Sequence, residues 1–237
     1  MRIAVYTLTR DRLAFTQHCF ETLRRNAGVP FEHYIIDNGS RDGTREWLEQ
    51  HRQDFTWVQT LPENVGISAA SNLALDVICK NQRTLNDLLI CKVDNDCEVI
   101  SENILGQVAE IYSLLPPLGP QYILSPRVEG IVNQPKRVRE TQLGGRRVGL
   151  TSIVGGLFHC APAKVYQQYR YPTNLPLGWG QDDNFCQWAR SKGCEVGYIE
   201  GLVVNHYLST DGQAKADLPY FERKWQEEKQ FKLTTGV

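Results

Sequence analysis

The chain has 237 residues, 41% hydrophobic and 22% charged, a composition that supports a core of ordinary size and excludes disorder over most of its length. A formal net charge of −1 excludes binding to nucleic acid or membrane by bulk electrostatics, so any such affinity must come from a local patch. The seven cysteines are odd in number, form no Cys-x-x-Cys pair and sit in part within apolar runs; with an N-terminus too polar for a signal peptide and no run long enough to span a bilayer, this points to a cytoplasmic chain.

Strand and helix signals alternate through the first hundred residues. Ile3–Leu8 reads as a strand, and Leu13–Ala27 as a helix that Gly28 and Pro30 end. A strand at His33–Ile36, a short helix at Thr44–His51 and a strand at Trp57–Leu61 follow. An Ala-rich helix at Ile67–Cys79 then leads to a strand at Leu88–Val93. This order implies an α/β fold with a mostly parallel central sheet and helices on both faces, in which ligands collect beyond the carboxyl ends of the strands.

Polar residues gather at those ends: Thr7, Thr9, Arg10 and Asp11 after the first strand, Asp37-Asn38-Gly39-Ser40 after the second, Asn64-Val65-Gly66 after the third and Asp94-Asn95-Asp96 after the fourth. Any one of these could be a helix cap or a turn. Asp94 and Asp96 repel unless a positive group lies beside them, and a divalent cation, which prefers carboxylate oxygen and can bridge to a phosphate, resolves that repulsion.

The second half is less regular. A helix from about Ile104 to Leu115 ends at Pro116-Pro117, and Tyr122–Ser125 reads as a strand. Glu129–Gly149 shows no apolar periodicity and carries Lys136, Arg137, Arg139, Arg146 and Arg147 against Glu140, which reads as a long loop or irregular hairpin. Ile153–Ala161 is a strand passing into a helix, Asp182–Lys192 a helix, and Glu195–Ile199 and Leu202–His206 are strands. A helix from Leu218 to Lys232 closes the chain. One domain is expected over 1–237, with halves at 1–100 and 101–210 and a C-terminal helix or tail at 211–237.

Gly178-Trp179-Gly180-Gln181-Asp182-Asp183 opens the late helix. Its carboxylates suit a helix N-terminus, and one of them, near a substrate hydroxyl, could serve as general base. Trp179 offers a face on which a sugar ring can stack. His206 arrives from a strand end and could join a metal site.

Together these residues resemble the GT-A glycosyltransferases, in particular the family-2-like nucleotide-sugar enzymes, in order from Arg2 to His206. The most specific local match is Ile36-Asp37-Asn38-Gly39-Ser40-Arg41-Asp42-Gly43-Thr44, and Asp94-Asn95-Asp96 looks like the DxD metal motif. The resemblance implies a metal-dependent, inverting transferase that moves a hexosyl group from a nucleotide sugar, UDP-type favoured, to a hydroxyl acceptor. In that reading Asp37 recognises the base, Thr7, Thr9 and Arg10 shape its pocket, and Asn38, Asn64, Gly66 and Asn72 line the nucleotide. Asp94 touches the ribose or the metal. Asp96 and His206 hold Mn²⁺ or Mg²⁺, and Asp183 is the base with Asp182 its rival. The chain departs from the family at Leu8-Thr9, where Tyr-Asn is common, and at Asp182-Asp183, where Glu-Asp is usual.

A glycan or small-molecule acceptor is favoured. A hydroxylated base in DNA, approached through the basic 136–147 segment, is the alternative of the same chemistry. A non-catalytic nucleotide-sugar-binding module and a nucleotidyltransferase are alternatives of other classes; the second lacks a glycine in the Thr7–Arg12 loop.

Overall fold

Ile3, Ala4, Val5 and Tyr6 are buried because β1 (Arg2–Thr9) runs through the sheet with a parallel neighbour on each side, β2 (Glu32–Asp37) and β4 (Leu88–Val93). A strand covered on both faces must be apolar nearly throughout, and every residue of β4 is buried. The computed structural model describes residues 1–81, 85–116, 119–131, 134–174, 180–209, 212 and 218–235.

The remaining elements are α1 (Leu13–Asn26), α2 (Thr44–Gln50), β3 (Trp57–Thr60), α3 (Gly66–Asn81), β5 (Cys97–Val99), α4 (Ile104–Ser113), β6 (Tyr122–Glu129), β7 (Arg137–Leu143), β8 (Arg146–Thr151), β9 (Phe158–Pro162), α5 (Ala163–Gln168), α6 (Gln181–Ser191), β10 (Glu195–His206) and α7 (Leu218–Thr235). They build one ten-stranded sheet in the order β3-β2-β1-β4-β9-β6-β10-β8-β7, with β5 paired to the end of β10.

The expected parallel βαβ half is present: β2 and β4 flank β1, and β3 flanks β2, all parallel. The expectation of a mostly parallel sheet fails beyond β4. There β9 runs antiparallel to β4 and β6, and β8 antiparallel to β10, so the whole sheet is mixed. Helices cover both faces. Phe20 of α1 packs edge-on against His33 beneath one face, while Ser71 of α3 approaches Tyr6 on the other.

The expected pair of late strands is one strand, β10, with a bulge between Ile199 and Val203. The basic segment, expected as a long loop or irregular hairpin, is the antiparallel hairpin β7–β8 with a register shift between Arg137 and Arg139. The acidic triplet is the turn from β4 into β5, a strand too short to show periodicity.

Candidate active site

In the parallel register of β1 and β2, Thr9 lies opposite Asp37, so both side chains reach the same rim. Asp37 is fully buried and its oxygens are engaged within the loops. Oδ1 accepts the hydroxyls of Thr9 (3.1 Å) and Ser40, Oδ2 accepts the Ser40 N–H (3.1 Å), and Arg45 Nε stands 3.7 Å from Oδ2. Burial raises its pKa against these partners. Ser40 Oγ also receives the Asp11 N–H at 2.7 Å, and Asp11 Oδ1 the Arg41 N–H at 2.7 Å, so the first two rim loops are one hydrogen-bonded unit. Asn38 ties in the third: its Nδ2 donates to Asn64 Oδ1 and its Oδ1 accepts the Val65 N–H, both at 2.9 Å. Gly39 has φ +81°, and a Cβ there would meet the Glu63 carbonyl carbon at 2.5 Å, so only glycine lets these loops close together.

The acidic triplet is organised by cations from elsewhere in the chain. Lys92, buried in the otherwise apolar β4, points to the same face as Asp94 and places Nζ 2.6 Å from Asp94 Oδ1 and 2.7 Å from the Gly156 carbonyl. Desolvation of Asp94 exceeds the help from Lys92, and its pKa is pushed up to about 6. Asp96 behaves oppositely. Pairing of β5 with β10 sets His206 opposite Cys97, and Asp96 Oδ2 lies 3.3 Å from both His206 Nε2 and Arg12 Nη1. Burial works against the Asp96 carboxylate, but His206, Arg12 and Lys224 outweigh it and hold its pKa well below the ordinary range.

Gly180 at φ +83° turns the chain into α6, whose first turn carries Asp182 and Asp183. Asp182 is half-buried and accepts the Gly156 N–H, and burial raises its pKa against the pull of Lys92. Asp183, one residue on, is exposed.

α7 lies across the part of the rim formed by the first and third loops. Glu227 takes Arg10 and, at 3.3 Å, Asn64 Nδ2, while Arg223 pairs with Asp11. These contacts, Arg12 and Lys92 are the site residues that sequence reasoning passed over. A lysine inside a buried apolar strand, two residues before a carboxylate, was a signal for Lys92. Nothing local marks Arg12 or α7.

The structure gathers Thr9, Arg10, Asp37, Asn38, Asn64, Gly66, Asp94, Asp96, Asp182 and His206 along the rim. Thr7 lies on the same face of β1 as Thr9 but further back from the rim, where its buried hydroxyl meets His33 Nε2 at 3.3 Å. Asn72 clamps the backbone N–H and C=O of Tyr171, both at 2.9 Å, so its amide serves the scaffold. Asp37 is fully buried, with its oxygens engaged by Thr9, Ser40 and Arg45. Asp94 is engaged at Oδ1 by Lys92. Trp179 lies outside the described residues. Arg137 and Arg139 of the basic hairpin pair with Glu140, Glu195 and Glu200, which spends much of the charge expected to meet phosphates.

Asp96 and His206 fit a divalent ion as a two-residue site. Their oxygen and nitrogen converge, and such ions are commonly held by one or two carboxylates with substrate phosphates completing the shell. Among the described residues no three His, Cys, Asp or Glu side chains gather to hold a metal by themselves, so the shell would depend on the ligand.

Residues 4–115 match the model of Glycosyl transferase family 2. No curated protein matches the chain by sequence. Among solved structures, TarS of S. aureus in complex with UDP is 16% identical with a TM-score of 0.62, covering 86% of this chain and 60% of its own. The mannosyltransferase PcManGT of Pyrobaculum calidifontis, solved with GDP-Man and Mn²⁺, is 14% identical with a TM-score of 0.59, covering 89% and 58%. GalNAc-T7 with UDP, GalNAc and Mn²⁺ is 12% identical with a TM-score of 0.67, covering 90% and 45%. The fold is that of the GT-A glycosyltransferases, and the chain spans at most 60% of each of these three proteins.

Proposed function

We propose that this chain, glycosyltransferase in fold and in its 4–115 segment, moves a hexosyl group from a nucleotide sugar, UDP-type favoured, to a hydroxyl of a glycan or small molecule with inversion at the anomeric carbon. The observation that carries the reading is the meeting at one rim of a cation-poised Asp96–His206 pair, the bonded loops around Asp37, Asn38 and Asn64, and a helix start bearing two carboxylates.

Asp96 and His206 would hold Mn²⁺ or Mg²⁺, which offsets charge on a departing diphosphate. The loops around Asp37, Asn38, Asn64 and Gly66 bind and orient the nucleotide, with Arg10 at their edge. The acceptor oxygen bonds to the anomeric carbon as its bond to the diphosphate oxygen breaks; the bonding pair leaves with the diphosphate, and the acceptor proton passes to a carboxylate of α6. Asp183 is the preferred base, because it is exposed to an incoming acceptor while Asp182 is bound by Gly156.

A glycan or small-molecule acceptor is preferred over DNA because the hairpin arginines are paired with glutamates. A cytoplasmic setting agrees with seven free cysteines. No helix among the described residues is long and apolar enough to cross a membrane.

Incubation with UDP- and GDP-sugars, with and without Mn²⁺ and candidate acceptors, tests the reading through release of nucleoside diphosphate. Metal-dependent release from at least one donor is expected. Failure to bind UDP or GDP and to turn over any donor would leave a fold without the activity.

A further inference from the structure

We propose that Lys92 is a positioning residue for the transfer, one buried ammonium that sets the donor-side Asp94 and the acceptor-side start of α6 in fixed relation; this rests on the glycosyltransferase reading above. Its Nζ binds Asp94 Oδ1 at 2.6 Å and the carbonyl of Gly156 at 2.7 Å. The N–H of the same Gly156 goes to Asp182. Residue 156 therefore joins the two sides through its two peptide groups. A side chain at this position would displace both partners: a Cβ would lie 2.6 Å from Lys92 Nζ and 2.5 Å from Asp182 Oδ2. Both charged ends converge on the point a methyl group would occupy.

The rest of β4 shows what this arrangement costs. Leu88, Leu89, Ile90, Cys91 and Val93 are all buried, and an ammonium among them is tolerated only when paired and hydrogen-bonded. An apolar side chain would suit the strand itself, so the strand's own burial does not explain the lysine. Its partners do: Asp94 borders the Asp96–His206 pair, and Asp182 precedes Asp183 in the first turn of α6. Holding Asp94 and Asp182 through one ammonium and the two peptide groups of one glycine fixes where α6 presents its carboxylates relative to the diphosphate. Lys92 touches neither donor nor acceptor in this arrangement and works through the residues it holds.

Two variants test this. Lys92→Met removes the ammonium, while Gly156→Ala keeps every charge and pushes Lys92 and Asp182 apart. For each, UDP affinity is measured by calorimetry with Mn²⁺, and turnover is measured as UDP release from UDP-glucose, UDP-galactose and UDP-N-acetylglucosamine. UDP affinity is expected to stay within about threefold while turnover falls about 10²-fold, the usual consequence of misplacing reacting groups by about 1 Å. If Lys92→Met does not fold, Gly156→Ala carries the same expectation with the charges intact. Turnover within threefold of wild type in Gly156→Ala overturns the proposal. So does a parallel loss of binding, turnover and thermal midpoint, which marks a purely structural lysine. Wild-type protein that binds no UDP and releases none overturns the glycosyltransferase reading itself, and the role of Lys92 with it.

Discussion

Asp96 Oδ2 lies 3.3 Å from His206 Nε2, although the two residues are 110 positions apart and meet only because β5 pairs with the far end of β10. Asp94, two residues from Asp96, is turned instead to Lys92. The two aspartates of one motif therefore carry different duties. Asp96→Ala is expected to weaken Mn²⁺-dependent UDP binding by about 1.5–3 kcal/mol, the scale of a lost charged contact. Asp94→Ala should cost less. Calorimetry with Mn²⁺ and with EDTA checks both, and equal UDP affinity in the two buffers would remove the metal from the reading.

Asp37 gathers two hydroxyls, one backbone N–H and Arg45 in a fully buried position. Asp37→Ala is expected to lower folding stability by about 2–3 kcal/mol, since removing the carboxylate strands its buried donors. Nucleotide affinity should fall in the same variant as the loops loosen. Urea unfolding with parallel UDP titration distinguishes this from a direct base contact, which would cost affinity and leave stability alone.

The two α6 carboxylates divide by environment. Asp183→Asn is expected to reduce transfer by about 10²–10⁴-fold with UDP binding intact, the usual span for loss of a general base. Asp182→Asn should retain more activity, because its carboxylate is bound to Gly156. Reversal of that order in UDP-release assays would assign the base to Asp182.

Glu227 of α7 occupies Arg10 and Asn64, both on the rim assigned to the nucleotide. A carboxylate there competes with an incoming anion. Glu227→Gln is expected to tighten UDP binding about two- to fivefold, in keeping with the small worth of a partly exposed ion pair. Weaker binding in this variant would instead make Glu227 part of the nucleotide's own contacts.

His33 is buried among Phe20, Phe31 and Phe55, and desolvation, with a smaller push from Arg24, lowers its pKa from 6.5 to about 3. Its folded-state pKa thus lies below its unfolded value. As pH falls the unfolded chain takes up the proton first, so this contribution to stability is complete above about pH 6.5 and is lost towards about pH 3 at ~1.4 kcal/mol per pH unit. His33→Phe should flatten the acid slope by that amount between pH 6 and 4. Equal slopes for variant and wild type in urea titrations would show that His33 becomes protonated without unfolding.

The sequence by itself determined the parallel first half: apolar runs of strand length, helices between them with readable starts and stops, and polar residues after four successive strands. These are local properties, set by period, by turn residues and by the need of a buried parallel strand to be apolar throughout. The short acidic motifs were legible for the same reason. What each acid does was decided by the tertiary structure, because charge and burial come from neighbours distant in sequence. Asp94 meets Gly156 through Lys92, Asp96 meets His206 across β5 and β10, and Arg10 meets Glu227 from α7. The antiparallel second half escaped for a related reason: β5 and β9 are short, and their partners β10, β4 and β6 lie far along the chain, so no window of sequence contains the pairing.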